Sequence, residues 1–217
     1  MRAAILLTAG SSRRFGHRNK LLEMIGHRPL LAHTLLAARV AASGRVIVVT
    51  GADRAKISRM VRSMRVSGVR LVHATRHGQG MGASLAAGLA ALRPIERQFF
   101  LFLGDAPFVT TGLPRALIRA LGPEIDAVRP AYRGVPGHPV LVRTKIARQA
   151  TPKGDRGLGP LLARARVRMI EGGPQSVNDI DTPSALKRVR FSPAATPRAF
   201  RSAPRALRPE ACGRSPR

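Results

Sequence analysis

Residues 3–22, AAILLTAGSSRRFGHRNKLL, decide how the rest of the chain is read. The run Ala3–Thr8 is apolar and of strand length, as expected where both faces of a sheet are covered. It breaks at a small-residue elbow, Ala9-Gly10-Ser11-Ser12, and then delivers Arg13, Arg14, Arg18 and Lys20 in quick succession. Cations repel one another, so such a cluster is favourable mainly when an anion sits among them. Gly10 lets the backbone turn sharply, and the amides of Ala9 to Ser12 can then face a phosphate or a base edge. Arg14 and Lys20 follow at distances that let both side chains fold back over the same loop. The plainer alternative is a flexible loop whose cations face water. It is not a P-loop, because the G-x-x-x-x-G-K-[ST] spacing is absent.

Working outward, apolar runs recur at Arg45–Thr50, Val69–Ala74 and Phe99–Leu103, then near Ala127–Arg129, Val140–Val142 and Val167–Ile170. Helical patterning fills Pro29–Ala42, Asp53–Met64, Ala83–Leu92 and Leu113–Leu121, with Pro29 suited to a first helical position and Asp53 to an N-cap. Alternating strands and helices predict an α/β fold, doubly wound on a mainly parallel sheet. Ligands of such sheets bind outside the carboxyl ends of the strands, so the turns after Thr8, Ala74 and Leu103 are expected to meet.

The chain has 217 residues, enough for one ordinary domain. Residues 1–190 read as that domain. From residue 191 to 217 the sequence is Pro, Ala, Arg and Ser without periodicity, and a disordered basic tail is expected. Cys212, the single cysteine, excludes an intrachain disulfide or a thiolate metal site. The run Ala3–Leu7 is too short for a signal-peptide core and no run approaches bilayer length, so a cytoplasmic protein without a membrane partner is expected. The net charge of +27 is mostly arginine scattered along the whole chain. With no Trp and one Tyr there is little for bases to stack on, so a dedicated nucleic-acid role ranks below a solvated basic surface.

Only 11 residues are Asp or Glu, and four of them (Asp105, Asp155, Asp179 and Asp181) adjoin Gly, Pro or Asn or an acidic turn. FLFLGDAPFV drives Asp105 out of an apolar strand, well placed to hold Mg²⁺, although Asp between Gly and Pro is also a common turn former. The turn HGQGMGASLAAGL raises a rival, since Gly78-x-Gly80-x-x-Ala83 fits a dinucleotide fingerprint and would imply an NAD-type oxidoreductase. That fingerprint normally serves the first strand, and here it follows the third. Ser84 is otherwise a candidate helix N-cap.

LTAGSSRRFGHRNK resembles the L-x-A-G-x-S-x-R-x-G-x-x-K signature of the nucleotidyltransferases that charge molybdenum cofactor. GMGASLAAGL, FLGDAPFV, GHPVL, GDRG and DIDTPSAL follow in the order expected of the molybdenum cofactor cytidylyltransferases, a likeness spanning residues 3–188. The resemblance implies a Rossmann-like, nucleotide-diphospho-sugar transferase-like fold and transfer of CMP from CTP to a phosphorylated pterin, with Mg²⁺ as cofactor. Guanylyl transfer, or transfer to a sugar or alcohol phosphate, would use the same front half. It further implies molybdoenzymes as protein partners. By the same likeness Ala9, Gly10, Ser11, Ser12, Gly80 and Ser84 contact the nucleotide, Ser84 through the base. Arg14 and Lys20 bind the triphosphate and act with Asp105 in catalysis. Asp105 holds the metal with Asp179 or Asp181, and His138 and Asp155 lie near the acceptor. Two departures stand out. One extra residue separates Gly16 from Lys20, predicting a bulged loop, and Ala106 stands where Met is usual.

Overall fold

In chain order the strands are β1 (Arg2–Thr8), β2 (Met24–Ile25), β3 (Arg28–Pro29), β4 (Val46–Thr50), β5 (Val69–His73), β6 (Gln98–Leu103), β7 (Ala127–Tyr132), β8 (Val135–Pro136), β9 (Val140–Arg143) and β10 (Val167–Glu171). The helices are α1 (Leu30–Ala41), α2 (Arg54–Ser63), α3 (Met81–Ala90), α4 (Gly112–Ala120), α5 (Thr144–Ala147), α6 (Gly159–Leu162) and α7 (Pro183–Arg190). This computed structural model describes residues 1–190 except 13, 14, 17, 111, 149–151 and 153. The side chains of 188–190 and the tail 191–217, which the sequence predicts to be disordered, lie outside the described residues.

β1 is central because every residue from Ala3 to Thr8 is buried. It pairs parallel with β4 on one edge and β6 on the other, Leu6 facing Val48 and Phe102. The sheet runs β10-β7-β9-β6-β1-β4-β5, with β8 hooked onto β7. Only β9 among the seven strands of that path runs against its neighbours, antiparallel to both β6 and β7. The sheet is therefore mixed but mostly parallel.

Alternation along each strand sends neighbours into opposite layers. Ala4, Leu6, Val48, Phe100 and Phe102 meet α1, α2 and α4 through Leu31, Leu35, Ile57 and Leu117. Ala3, Ile5, Val49, Phe99 and Leu101 meet α3 and α5 through Leu85 and Ala147, with Leu158 beside them. Helices thus cover both faces, as the continuous apolar strands require. β1 lies where the chain reverses its order across the sheet, β4 and β5 to one side and β6 to the other, and a crevice opens there at the strand ends.

The strand expectations hold to within a residue or so at most ends. Three local readings need correction. Pro29 sits before α1 in an extended conformation and belongs to the short β2–β3 hairpin. Asp53 occupies the N-cap position of α2, but its side chain makes no capping bond there. Ser84 is inside α3, one turn in, and is not a cap.

Candidate active site

The carboxyl ends of β1 and β6 open into a cleft of about 760 Å³. Ala9, Gly10, Ser11 and Ser12 form one wall, Gly80 and Ser84 another, and Asp105, Asp155, Asp181 and Lys20 line it as well. Ten expected site residues that are far apart in sequence therefore share one space. His138 and Asp179 are not on its lining, and Arg14 lies outside the described residues.

The cleft is held open by close backbone contacts. Gly51 follows β4 and packs on the elbow after β1, where a Cβ would stand 2.5 Å from the Ala9 carbonyl oxygen. Gly80 has φ of +101°, which L side chains rarely adopt, and a Cβ there would meet Asp155 Oδ1 at 2.5 Å. The Gly-rich turn and the GDRG turn are thereby pressed together. Asp155 accepts from the Met81 amide at 3.3 Å, placing a carboxylate at the amino end of α3.

Lys20 is the electrostatic centre. Its Nζ donates to Asp105 Oδ2 at 2.6 Å and to Asp181 Oδ1 at 2.7 Å, with 15% of its side chain exposed. Burial opposes its charge, but the Asp105 and Asp181 carboxylates outweigh burial and hold the ammonium above the usual lysine range. Ile180 N donates to Asp105 O at 3.0 Å, tying the DIDTP turn to the end of β6.

Asn19 aims Lys20, and sequence reading missed it. Asn19 is 5% exposed. Its Oδ1 accepts from Leu21 N at 2.9 Å and starts the 3-10 turn Lys20–Leu22, while its Nδ2 donates to Asp53 Oδ2 at 2.8 Å. Asp53 Oδ2 is taken up by that bond and its Oδ1 pairs with Lys56 Nζ at 3.6 Å, and neither oxygen caps α2. Lys20 N donates to Ser12 Oγ at 3.3 Å, and the bulge expected between Gly16 and Lys20 includes residue 17, which lies outside the described residues. His77, in the turn after β5, also lines the cleft and was not anticipated.

The acids fit a divalent cation only in part. Although much of Asp179 is exposed, protein crowding, then the charges of Asp105 and Asp181, push its carboxyl up to about 6. An excess of negative charge faces one ammonium here, which a hard cation would relieve. Among the described residues no three His, Cys, Asp or Glu side chains converge on a single point. The donor set therefore suits a cation held by one or two carboxylates and completed by phosphate oxygens, the usual mode for magnesium.

His138 precedes β9, partly buried, with Nδ1 shut off from water and without a hydrogen-bond partner. Burial, then the Arg129 charge, lowers its pKa to about 4, so the ring is neutral at physiological pH. The turn Gly78–Ala83 follows β5 at the sheet edge rather than the central β1, which removes the topological basis of the dinucleotide fingerprint. No helix among the described residues is long and apolar enough to cross a membrane.

Residues 4–169 match the MobA-like NTP transferase domain. The chain is 27% identical over 189 residues to the molybdenum cofactor cytidylyltransferase of Escherichia coli (strain K12), covering 82% of this chain and 90% of that protein. The crystal structure of Rv0371c from Mycobacterium tuberculosis H37Rv superposes with a TM-score of 0.74 at 27% identity, over 88% of this chain and 98% of that one. The Rv0371C complex with manganese has a TM-score of 0.70 over the same shares.

Proposed function

The chain belongs to the MobA-like NTP transferase family, and we propose that this member moves the CMP of CTP onto a phosphorylated pterin, molybdopterin, with release of pyrophosphate. The observation that carries the reading is Lys20 bridging Asp105 and Asp181 beside the Gly-Ser elbow of β1. The likeness to the E. coli cytidylyltransferase across most of both chains supports the choice of nucleotide and acceptor.

In this mechanism the elbow amides of Ala9 to Ser12 receive the nucleotide, and Ser84 offers its hydroxyl to the base edge. A phosphate oxygen of the acceptor attacks the α-phosphorus in line. The new P–O bond forms as the bond to the β-phosphate breaks, and pyrophosphate departs with the electron pair. Lys20, held charged, moves from its carboxylates to the oxygens on which negative charge develops, with Arg14 as the second cation. Catalysis is then positioning plus charge stabilisation, and no nucleophilic side chain is needed. A magnesium ion at Asp105 and Asp181, with Asp179 beside them, would neutralise the triphosphate and the leaving pyrophosphate.

CTP labelled at the α-phosphorus tests this directly. The label should pass to molybdopterin, one pyrophosphate released per transfer. Label that stays in CTP with molybdopterin but passes to a sugar phosphate would overturn the acceptor assignment.

A further inference from the structure

Eight residues of α1 are buried, and seven of them are Leu or Ala. The eighth is Thr34, wholly shut off from water. Threonine is a weak helix former, and inside a helix its hydroxyl commonly bonds back to the carbonyl four residues earlier. Here the hydroxyl donates out of the helix instead, to Gly104 O at 3.1 Å. Gly104 directly follows β6 and precedes Asp105, and three elements meet on it. Its N donates to Leu7 O of β1 at 2.9 Å. A Cβ on it would stand 2.9 Å from that same oxygen and 3.2 Å from a methyl of Leu21, the neighbour of Lys20. The next peptide is held as well, since Ala106 N donates to Leu103 O at 3.2 Å and Asp105 O accepts from Ile180 N at 3.0 Å.

With the peptides on both sides fixed, the Cα–Cβ bond of Asp105 is aimed, and its short side chain has little freedom left. We propose that Thr34 is a positioning residue, whose hydroxyl sets the peptide before Asp105 so that the carboxylate meets the Lys20 ammonium in the cleft. Thr34 does not line the cleft, so it acts on the site through Gly104. That Asp105 then serves a nucleotide rests on the transferase reading above; that Thr34 places it does not. Without the hydroxyl, Gly104 O is a buried acceptor deprived of its donor, and the peptide turns to recover one. Such a turn swings the Asp105 side chain, and the 2.6 Å bond from Lys20 Nζ tolerates little displacement. α1 therefore carries one polar group in an apolar face because that group holds the acid end of β6 in register with the loop after β1.

The test is NMR of the full chain beside initial-rate kinetics on Thr34→Val, which keeps the shape without the hydroxyl, and Thr34→Ser, which keeps the hydroxyl. In the unaltered chain the Thr34 hydroxyl proton and the Lys20 ammonium, assigned by its loss in Lys20→Arg, should both give signals protected from exchange with water. Thr34→Val should lose the protected ammonium, and its kcat should fall about tenfold or more, the scale of a small misplacement of a reacting group. Its KM for CTP should stay within about threefold, because the loss falls on the transition state and not on binding. Thr34→Ser should restore both the ammonium signal and kcat. An unaltered chain in which either signal exchanges freely overturns the proposal, and this readout does not depend on any variant folding. A protected ammonium in Thr34→Val, or a Thr34→Ser as impaired as Thr34→Val, overturns it too. Loss of the ammonium signal in Thr34→Val, in a chain that transfers no cytidylyl group, would remove the transferase reading and leave the positioning role standing. Normal transfer by Thr34→Val with the ammonium intact would remove the positioning role alone.

Discussion

Lys20 Nζ lies 2.6 Å from Asp105 Oδ2, joining residues 85 positions apart. The lysine arrives from the loop after β1 and the aspartate from the end of β6, so the pair spans the two central strands. Asp181 accepts from the same nitrogen and brings in the turn that leads into α7. One ammonium thus organises three segments before any substrate arrives.

Removing that ammonium should have two separable effects. Lys20→Met should lower kcat by about 100-fold or more, the scale of losing one preorganised charge-stabilising donor. It also leaves Asp105, Asp179 and Asp181 without their shared cation, so melting temperature in chelator should fall, and added Mg²⁺ should restore part of the loss. Equal melting curves with and without Mg²⁺ would separate these acids from metal binding.

The Asn19–Asp53 bond predicts a positioning effect. Asp53→Asn keeps an acceptor for Asn19 Nδ2, whereas Asp53→Ala removes it and leaves a buried donor unpaired, a cost of about 1–3 kcal/mol. Initial-rate kinetics on both variants should show kcat falling in Asp53→Ala and recovering in Asp53→Asn, with the CTP KM changing less. If the two variants behave alike, Asp53 acts through its charge and not by holding the Lys20 turn.

Much of this was legible in residue order, because the central strands are apolar throughout and their ends are marked by small residues and acids. Ala3–Thr8 could scarcely be anything but a doubly covered strand. The two-residue strands β2, β3 and β8 are too short to carry a period, and the β2–β3 hairpin claimed Pro29 from α1. Asp53 reads locally as a cap, but Asn19, 34 residues away, takes its carboxylate. Sequence spacing cannot announce such a pairing. Nor could it reveal that Asp155 is engaged with the Met81 amide.

His138 gives a signed dependence on pH. Its folded pKa is about 4, below the ordinary histidine value. The unfolded chain therefore takes up a proton first as pH falls, and stability is lost progressively from about pH 6.5 to about pH 4, with up to about 3 kcal/mol at stake. His138→Asn should flatten the stability profile in that window while leaving its shape above pH 7 unchanged. Urea unfolding across this range measures it, and a profile identical to that of the unaltered chain would contradict the buried, neutral ring.

Gly80 predicts a cost of a different kind. With φ at +101° and Asp155 pressed against it, Gly80→Ala must shift the GDRG turn off the amino end of α3. Binding of CTP, followed by calorimetry, should weaken by about tenfold or more, since each 1.4 kcal/mol is a factor of ten. Unchanged CTP affinity would mean that the two turns need not be docked for the nucleotide to bind.

Nucleotide competition tests the proposed cytidylyl transfer most directly. Ser84 is 4% exposed and lines the cleft, and on the proposed reading its hydroxyl meets the edge of the cytosine. A site built on such hydrogen bonds rejects the wrong base because buried donors are left unpaired. Pyrophosphate release should be measured with CTP, GTP and ATP at matched concentration, with molybdopterin and Mg²⁺, for the unaltered chain, Ser84→Ala and Asp105→Asn. CTP should be used well ahead of both purines, Ser84→Ala should erode this preference more than it lowers the maximal rate, and Asp105→Asn should be inactive. Equal or better use of GTP by the unaltered chain would contradict it.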